Sequence, residues 1–598
     1  MSAEKKNDTA AGGYFSIPDG LGFTVNKTIF TPEKFSEEQK MAAETAGKFI
    51  EKDVAPKIEE IDSQKGDYGL TVGLLKKTAE MGFLGTDVPE EYGGAGFDFI
   101  TAILVSEVLG TGGSWAVSWA AHSGIGTHPL LFFGSKEQKK KYLTKLVSGE
   151  WAAAFAATEP EAGTDLYGAK TKATLSADGK SYILNGGKTF ISNSGFARLF
   201  TVLAKVDGDP KKSACFLVEQ GSPGFTIGKE EAKMGICGSS TCPLNFENVK
   251  VPVENLLGEI GKGIHIILNT LNIGRLKLGA MTVGPGKHVI AEAVQYALER
   301  KQFGMPIVQF GLIKEKLANM VVRTWMTESA VYRTAGLVEE KLKGADLNNF
   351  EETLDALREY EIECSILKVA GSEMLWHAAD ENVQIHGGYG YIKDYPAERY
   401  LRDSRINRIF EGTNEINRLT MVLNLLARAG KGLLPLAQAG AALAKQLEET
   451  SGEELPDEPL ALQAEIVNSM KKMFFVAGGR VLEKFPAREK IISEEEILGR
   501  LSGMLILIYL AESGLLRAKE FGGEIPEAIV RLYVQDAAME TEKSAKEVLA
   551  FLEEGDMLKS DLGRLKRLAR PLANNLADPV ALQRKIADKL IEKKKYFL

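Results

Sequence analysis

Glu411 is the residue of this chain best placed by its neighbours for acid–base chemistry. It stands in Arg408-Ile409-Phe410-Glu411-Gly412-Thr413-Asn414-Glu415-Ile416, after two apolar residues and before a glycine that lets the backbone turn. A carboxylate held against apolar side chains has a raised pKa, as a general base working near neutral pH requires. The alternative is an ordinary acidic residue at a helix start, where the helix dipole favours it. Thr413 or Asn414 is expected to cap the next helix, with Ile416, Leu419, Leu423 and Leu426 as its apolar face.

Three other stretches carry groups suited to a ligand. Thr158-Glu159-Pro160-Glu161-Ala162-Gly163-Thr164-Asp165 offers hydroxyls and backbone amides to a ring, or is a plain turn. Phe190-Ile191-Ser192 sets an aromatic face beside a hydroxyl, for ring stacking or simply as a strand. Arg300-Lys301-Gln302-Phe303-Gly304 ends a helix with paired cations, which either complement the helix dipole or bind a diphosphate. Gly-x-Gly-x-x-Gly between strand and helix, the P-loop, His-Glu-x-x-His and Gly-x-Ser-x-Gly are all absent from the sequence. The six histidines are scattered singly, so neither a metal site nor a serine triad is expected.

These groups need a scaffold of several domains, since 598 residues exceed what one core supports. Hydrophobic residues at 44% and charged ones at 26% fit a soluble globular chain, and a net charge of −8 argues against nucleic acid. Cys215, Cys237, Cys242 and Cys364 are too sparse for a disulfide framework, and Cys237 and Cys242 lack a second pair at zinc spacing. Met1 to Asp8 shows neither a signal nor a transit pattern, so a reduced, cytoplasmic chain is expected. The strongly apolar run Met504 to Ala511 is too short to span a bilayer.

Periodicity divides the chain into an arm (1–36), a helical domain (37–151), an antiparallel β-barrel (152–260), a helical bundle carrying Glu411 (261–430), a linker (431–459) and further helices (460–598). The fold class is therefore mainly α with a β-barrel domain. Within the barrel, Asn185-Gly186-Gly187 reads as a turn, with strands at Ser181 to Leu184, Phe200 to Lys205, Cys215 to Glu219 and Leu244 to Phe246. Gly284-Pro285-Gly286 should kink or divide a helix running from Ile264 towards Arg300. Thr353 to Ala379 reads as one helix, followed by a loop from Gln384 to Tyr391, and Lys136 to Leu146 as an exposed basic helix. The final helices lack any loop rich in glycine and polar residues, so packing rather than chemistry is expected there.

Together, Thr158 to Asp165, Phe190 to Ser192, Arg300 to Gly304, Gln384 to Gly390 and Glu411 to Ile416 resemble, in order and kind, the motifs of the acyl-CoA dehydrogenase family. The segment Gln384-Ile385-His386-Gly387-Gly388-Tyr389-Gly390-Tyr391, with Asp394, Arg399 and Asp403 after it, resembles that family's second motif closely, and the likeness spans roughly residues 40–430. The added helical region and Leu271-Asn272-Ile273-Gly274-Arg275 resemble the very-long-chain branch. Ala157, where a larger aliphatic residue is usual, and Pro285 within the helix depart from the family pattern.

The resemblance implies FAD between barrel and bundle, an acyl-CoA substrate, and Glu411 as the base that removes the α-proton while the β-hydrogen leaves as hydride. Oxyanion stabilisation would come from the flavin ribityl hydroxyl and the Glu411 N–H, with Gly412 allowing the close approach. Phe155, Thr158, Thr164, Phe190, Ser192 and Thr413 are implied flavin contacts within a subunit. Arg300, Gln302, Phe303, Gln384 and Gly388 are implied contacts to a neighbour's FAD, and Gly387 and Glu415 complete the cofactor set. Thr164, Asn272, Arg275 and Gly412 are implied substrate contacts. Some branches carry the base where Gly274 stands here, so the resemblance favours Glu411, a straight chain and room for a long one. It further implies a homodimer, electron transfer to electron-transfer flavoprotein, and a membrane contact left open. An oxygen-using acyl-CoA oxidase and a non-enzymatic assembly factor are the alternatives within the family.

Overall fold

The computed structural model describes residues 29–434 apart from 65, 347 and 348, then 436, 440 and 443, and 455–598 apart from 487. Most of the expected arm and linker lies outside these residues. The arm's described end does lie over other elements: Phe30 packs where Gly336 leaves room, and Phe35 meets the Tyr332 ring edge-on at 4.9 Å.

The first domain is helical: α1 (Glu37–Phe49), α2 (Ile58–Ser63), α3 (Gly69–Glu80), α4 (Phe99–Leu109), α5 (Ser114–Ala120), α6 (His128–Phe133) and α7 (Lys136–Val147). Ser36 and Ser135 each begin a helix with a complete capping box, through Gln39 and Gln138. The basic helix α7 is not wholly exposed, because Tyr142, Leu143, Leu146 and Val147 recur at helical spacing and are buried. Between α5 and α6 the chain widens into a π-helical turn, Ala121–Gly126, broken at Gly124.

The middle domain contains β1 (Ala153–Ala156), β2 (Lys172–Leu175), β3 (Ser181–Ser192), β4 (Leu199–Val206), β5 (Ser213–Glu219), β6 (Phe225–Ile227), β7 (Thr241–Pro252) and β8 (Leu256–Leu257). Their order is β6-β7-β3-β2-β4-β5-β8, with β1 also on β4. The sheet is mixed rather than purely antiparallel, since β1 and β2 both run parallel to β4. Asn185-Gly186-Gly187 is not a turn. The long strand β3 runs through it with a bulge between Leu184 and Gly186, where a Cβ on Gly186 would lie 2.7 Å from Thr171 Cα. A second irregularity, between Lys188 and Ile191, puts Phe190 at φ 57°.

The bundle is built on α8 (Gly263–Glu299), a continuous helix of 37 residues that Pro285 does not divide. Proline cannot donate to Met281 O, and at this level α4 comes close. A Cβ on Gly110 would stand 2.8 Å from Met281 O, and one on Gly284 would stand 2.0 Å from Glu107 O. Tight packing between small residues thus braces α8 where the proline leaves a carbonyl without its donor. After α9 (Gly311–Lys343), the expected single helix is two, α10 (Phe350–Arg358) and α11 (Glu361–His386). The carbonyl of Glu359, freed at the break, accepts from Arg428 at 3.0 Å. Gln384 to His386 belong to the last turn of α11, so the glycine-rich loop starts only at Gly387. Next come α12 (Ala397–Arg405) and α13 (Asn414–Gly430). The fully buried face of α13 is Asn414, Asn417, Met421, Val422 and Leu425, while the expected apolar set, Ile416, Leu419, Leu423 and Leu426, is half-buried beside it.

The last domain comprises α14 (Pro459–Lys484), α15 (Glu495–Phe521), α16 (Glu524–Leu552), α17 (Gly555–Leu568) and α18 (Pro579–Lys593). The apolar run Met504 to Ala511 lies within α15, which is long and apolar enough to cross a membrane, yet 83% of its most apolar window is buried against neighbouring helices. Charged groups also cross this interface. Arg517 donates to Glu328 of α9 at 2.7 Å with both side chains 1% exposed, and Glu328 also binds Lys287 of α8. Removing one partner of such a pair leaves a buried charge uncompensated. Arg517→Met is expected to destabilise the protein by about 3–5 kcal/mol, read as a lowered thermal midpoint against wild type.

Candidate active site

The site begins with a strained turn. Glu411 and Gly412 adopt left-handed conformations in succession, φ 58° and 82°, which costs a non-glycine residue about 1–2 kcal/mol. Side chains from three helices hold the turn by its carbonyls. Arg275 of α8 donates to Glu411 O at 3.1 Å. Lys368 of α11 donates to Gly412 O at 2.7 Å. Asn417 of α13 donates to Gly412 O at 2.8 Å and Thr413 O at 3.0 Å. Thr413 caps α13 by accepting from Ile416 N.

With its backbone fixed in this way, the Glu411 carboxyl enters a cavity of about 140 Å³. Its Oε2 is enclosed and without a hydrogen-bond donor. Burial pushes its pKa up to about 7, against the pull of the Arg275 and Lys368 charges. The cavity passes between the π-helical turn at Ala121–Gly126, one face of α8, and the segment before Glu411. Its wall is largely small or apolar, including Gly110, Gly113, Val117, Leu278 and Met281. Gly274 faces the Glu411 carboxylate directly. A Cβ there would stand 3.0 and 3.1 Å from the two carboxylate oxygens, so the room Gly274 makes is for the carboxylate itself.

The residues expected to contact a flavin fall into two groups. Ser192 lines the cavity that holds Glu411. Phe155 lies on β1, and Thr158 just beyond it accepts from Thr189 N at 3.0 Å, next to Phe190 and Ser192 on β3. Thr164 and Glu415 are exposed. In a second cleft, Arg300, Gln302, Gly387 and Gly388 come together with Tyr296 and Tyr389. Gln384 is exposed near this cleft, one turn back on α11. Asn272 and Arg275 lie behind the Glu411 turn and are buried: Arg275 also donates to Asn272 at 3.1 Å, so both brace the turn instead of lining the cavity.

These surfaces suit a planar dinucleotide cofactor. Phe190 and Phe303 are held at positive φ with 64% and 90% of their surfaces exposed, presenting aromatic faces at a conformational cost. Among the described residues Arg300 has no carboxylate partner, only the Tyr389 ring at 5.4 Å, and is available to a diphosphate. Lys368 and Asn417 were missed in the sequence, and Asn414 was read only as a possible helix cap. The detectable signal was a lone lysine in the apolar run Ile366-Leu367-Lys368-Val369-Ala370, and two asparagines three apart after Glu411.

Known proteins share this architecture. Models of the acyl-CoA dehydrogenase N-terminal, middle and C-terminal domains match residues 36–150, 154–249 and 261–426, and another acyl-CoA dehydrogenase C-terminal domain model matches 469–567. A probable acyl-CoA dehydrogenase of Bacillus subtilis (strain 168) is 44% identical, covering 99% of this chain and 100% of that one. The mitochondrial very long-chain specific acyl-CoA dehydrogenase of Homo sapiens is 39% identical over 73% of this chain and 65% of its own length. An acyl-CoA dehydrogenase from Bacillus anthracis, solved in complex with FAD, superposes with a TM-score of 0.93 at 43% identity, covering 98% of this chain and 100% of that one. The butyryl-CoA dehydrogenase of Megasphaera elsdenii reaches a TM-score of 0.60 at 37% identity, covering 66% of this chain and 99% of its own.

The Gly274 contact is open to direct test. In Gly274→Ala the Glu411 carboxylate and the Ile125 side chain, whose Cγ2 would also stand 3.0 Å from the new Cβ, must each give by a few tenths of an ångström while no backbone atom is crowded, so the fold is expected to keep its thermal midpoint. Displacing the base should lower turnover on the order of 10²-fold, measured beside the melting curve of the same preparation.

Proposed function

The chain belongs to the acyl-CoA dehydrogenase family, and from that premise we propose that it oxidises long-chain acyl-CoA thioesters to trans-2-enoyl-CoA and passes the electrons to an electron-transfer flavoprotein. Its cofactor is FAD. The observation that carries the reading is the enclosed, donor-free carboxylate of Glu411 at the wall of a largely apolar cavity.

The residues divide the work as follows. Glu411 takes the α-proton, and its raised pKa matches it to a weak carbon acid at neutral pH. The clamp on its carbonyls fixes the carboxylate's direction, and the apolar wall excludes water from the carbanionic charge that develops. Arg300, Gln302, Gly387 and Gly388 would hold the FAD diphosphate end, with Phe155, Thr158, Phe190 and Ser192 on the ring side. The chemistry that FAD supplies when bound is acceptance of the β-hydrogen with its electron pair, leaving the α,β double bond. A long acyl chain is supported by the small residues along the cavity and by the likeness to very long-chain specific relatives. The exposed Phe303 and Tyr391 beside the second cleft support a homodimer in which each copy completes its neighbour's cofactor site.

The test uses purified holoprotein under anaerobic conditions. Palmitoyl-CoA is expected to bleach the yellow flavin faster than butyryl-CoA, and bleaching by butyryl-CoA alone would overturn the long-chain reading. Reoxidation by electron-transfer flavoprotein, with little peroxide formed in air, separates a dehydrogenase from an oxidase. Glu411→Gln should keep its FAD and lose on the order of 10²–10⁴-fold in turnover. The base must be ionised, so activity should rise with pH through about 7 and fall off on the acid side of it.

A further inference from the structure

Two buried opposite charges lie on either side of one peptide unit. Lys368 is 0% exposed in the middle of α11, yet among the described residues its ammonium has no carboxylate within ion-pair distance. It donates to neutral acceptors, Gly412 O and Asn414 Oδ1, both at 2.7 Å. Asn414 is itself held through Ser372 and Glu373, and Arg418 fixes Glu373 at 3.0 Å. On the other side, Glu411 Oε2 is enclosed with no donor. A desolvated ammonium costs several kcal/mol, and two neutral acceptors do not offset that as an anion does. The electrostatic complement is the Glu411 carboxylate, one residue from the carbonyl that Lys368 grips.

We propose that Lys368 is a positioning residue that fixes the Glu411 turn through Gly412 O and stabilises the ionised base across that peptide, setting the proton affinity with which Glu411 works. The proposal deepens the reading of Glu411 as the base for an acyl-CoA and rests on it. The charged groups facing Lys368 are Glu411 from the turn, Arg275 from α8, Glu415 from α13 and Glu373 from its own helix. Of these, Glu373 is bound by Arg418 and Glu415 is exposed. Burial pushes the Lys368 pKa down to about 7, opposed first by Glu411. The base and its cation thus titrate in the same range, and each favours the charged form of the other.

Removing the Lys368 charge removes an attraction that lowers the Glu411 pKa, so the base binds its proton more tightly and the acid limb of activity moves to higher pH. Lys368→Gln keeps a donor for the Gly412 carbonyl without the charge, Lys368→Met removes both, and Lys368→Arg keeps the charge. With palmitoyl-CoA as substrate and FAD content measured for each, Lys368→Gln is expected to shift the acid limb of kcat/KM upward by about one pH unit. Lys368→Met should show the same shift together with a lower kcat at unchanged KM, and Lys368→Arg should hold the limb near wild type. An unshifted limb in FAD-loaded Lys368→Gln overturns the electrostatic role, even if turnover drops. Should wild type itself turn over no acyl-CoA, the functional reading fails and takes this assignment with it.

Discussion

The site depends on a carboxylate that is buried yet left without a hydrogen-bond donor on one oxygen. Buried polar atoms are ordinarily satisfied, and an unpaired ionised group in a dry cavity is among the costlier arrangements a fold can hold. Glu411 gains nothing locally from its placement: its backbone is left-handed and its Oε2 touches no donor. The stabilisation therefore comes from outside the residue. Arg275, Lys368 and Asn417 bind the carbonyls around it and offer no hydrogen to the carboxyl. This keeps the turn rigid while leaving the carboxylate basic, whereas a direct Arg275–Glu411 ion pair would have held its pKa low.

That division places several tasks on the one continuous helix α8. The same helix supplies Gly274 against the carboxylate, Arg275 against the carbonyl behind it, and the cavity wall at Leu278 and Met281. A bend anywhere along it would separate these functions. It is braced from both sides: by α4 through the close approaches at Gly110 and Gly284, and by Lys287, which binds Glu107 and Glu328. Glu328 in turn takes Arg517 of α15. The last helical domain thus reaches the bundle that carries Glu411 through buried charge pairs, although none of its described residues lines either cavity.

What could be seen in the sequence, and what could not, follows the range of the interactions involved. Glu411 was legible because its cause is local: two apolar residues before it and a glycine after it. The helix from Lys136 was legible because its apolar spacing and the Ser135 cap are written within a dozen residues. Pro285 was misread because local chemistry says break, while the glycines that keep α8 whole include one on another helix. Asn185-Gly186-Gly187 was misread for the same kind of reason. Its composition is that of a turn, but the space Gly186 leaves is filled by Thr171 of a neighbouring segment. Lys368 was invisible because a lysine in an apolar run has no local partner. Its acceptors lie 44 and 46 residues further along the chain.

The second cleft reflects a different economy. Around Glu411 the protein encloses polar atoms; around Arg300 it leaves them open, with Phe303 90% exposed and Gln384 and Gly388 at the surface. A large aromatic ring in water, held at positive φ, lowers the stability of an isolated chain on both counts. Such an arrangement makes sense where another body covers it. A cofactor shared between copies would satisfy the open cations of one surface and cover the exposed ring of Phe190 on the other, so that assembly and cofactor loading stabilise the same state. The Glu411 turn is held by side chains of the same chain, whereas the second cleft leaves its cation and aromatic rings open. Different stretches of α8 serve the two surfaces: Gly274 and Arg275 hold the Glu411 turn, and the second cleft opens at Tyr296 and Arg300.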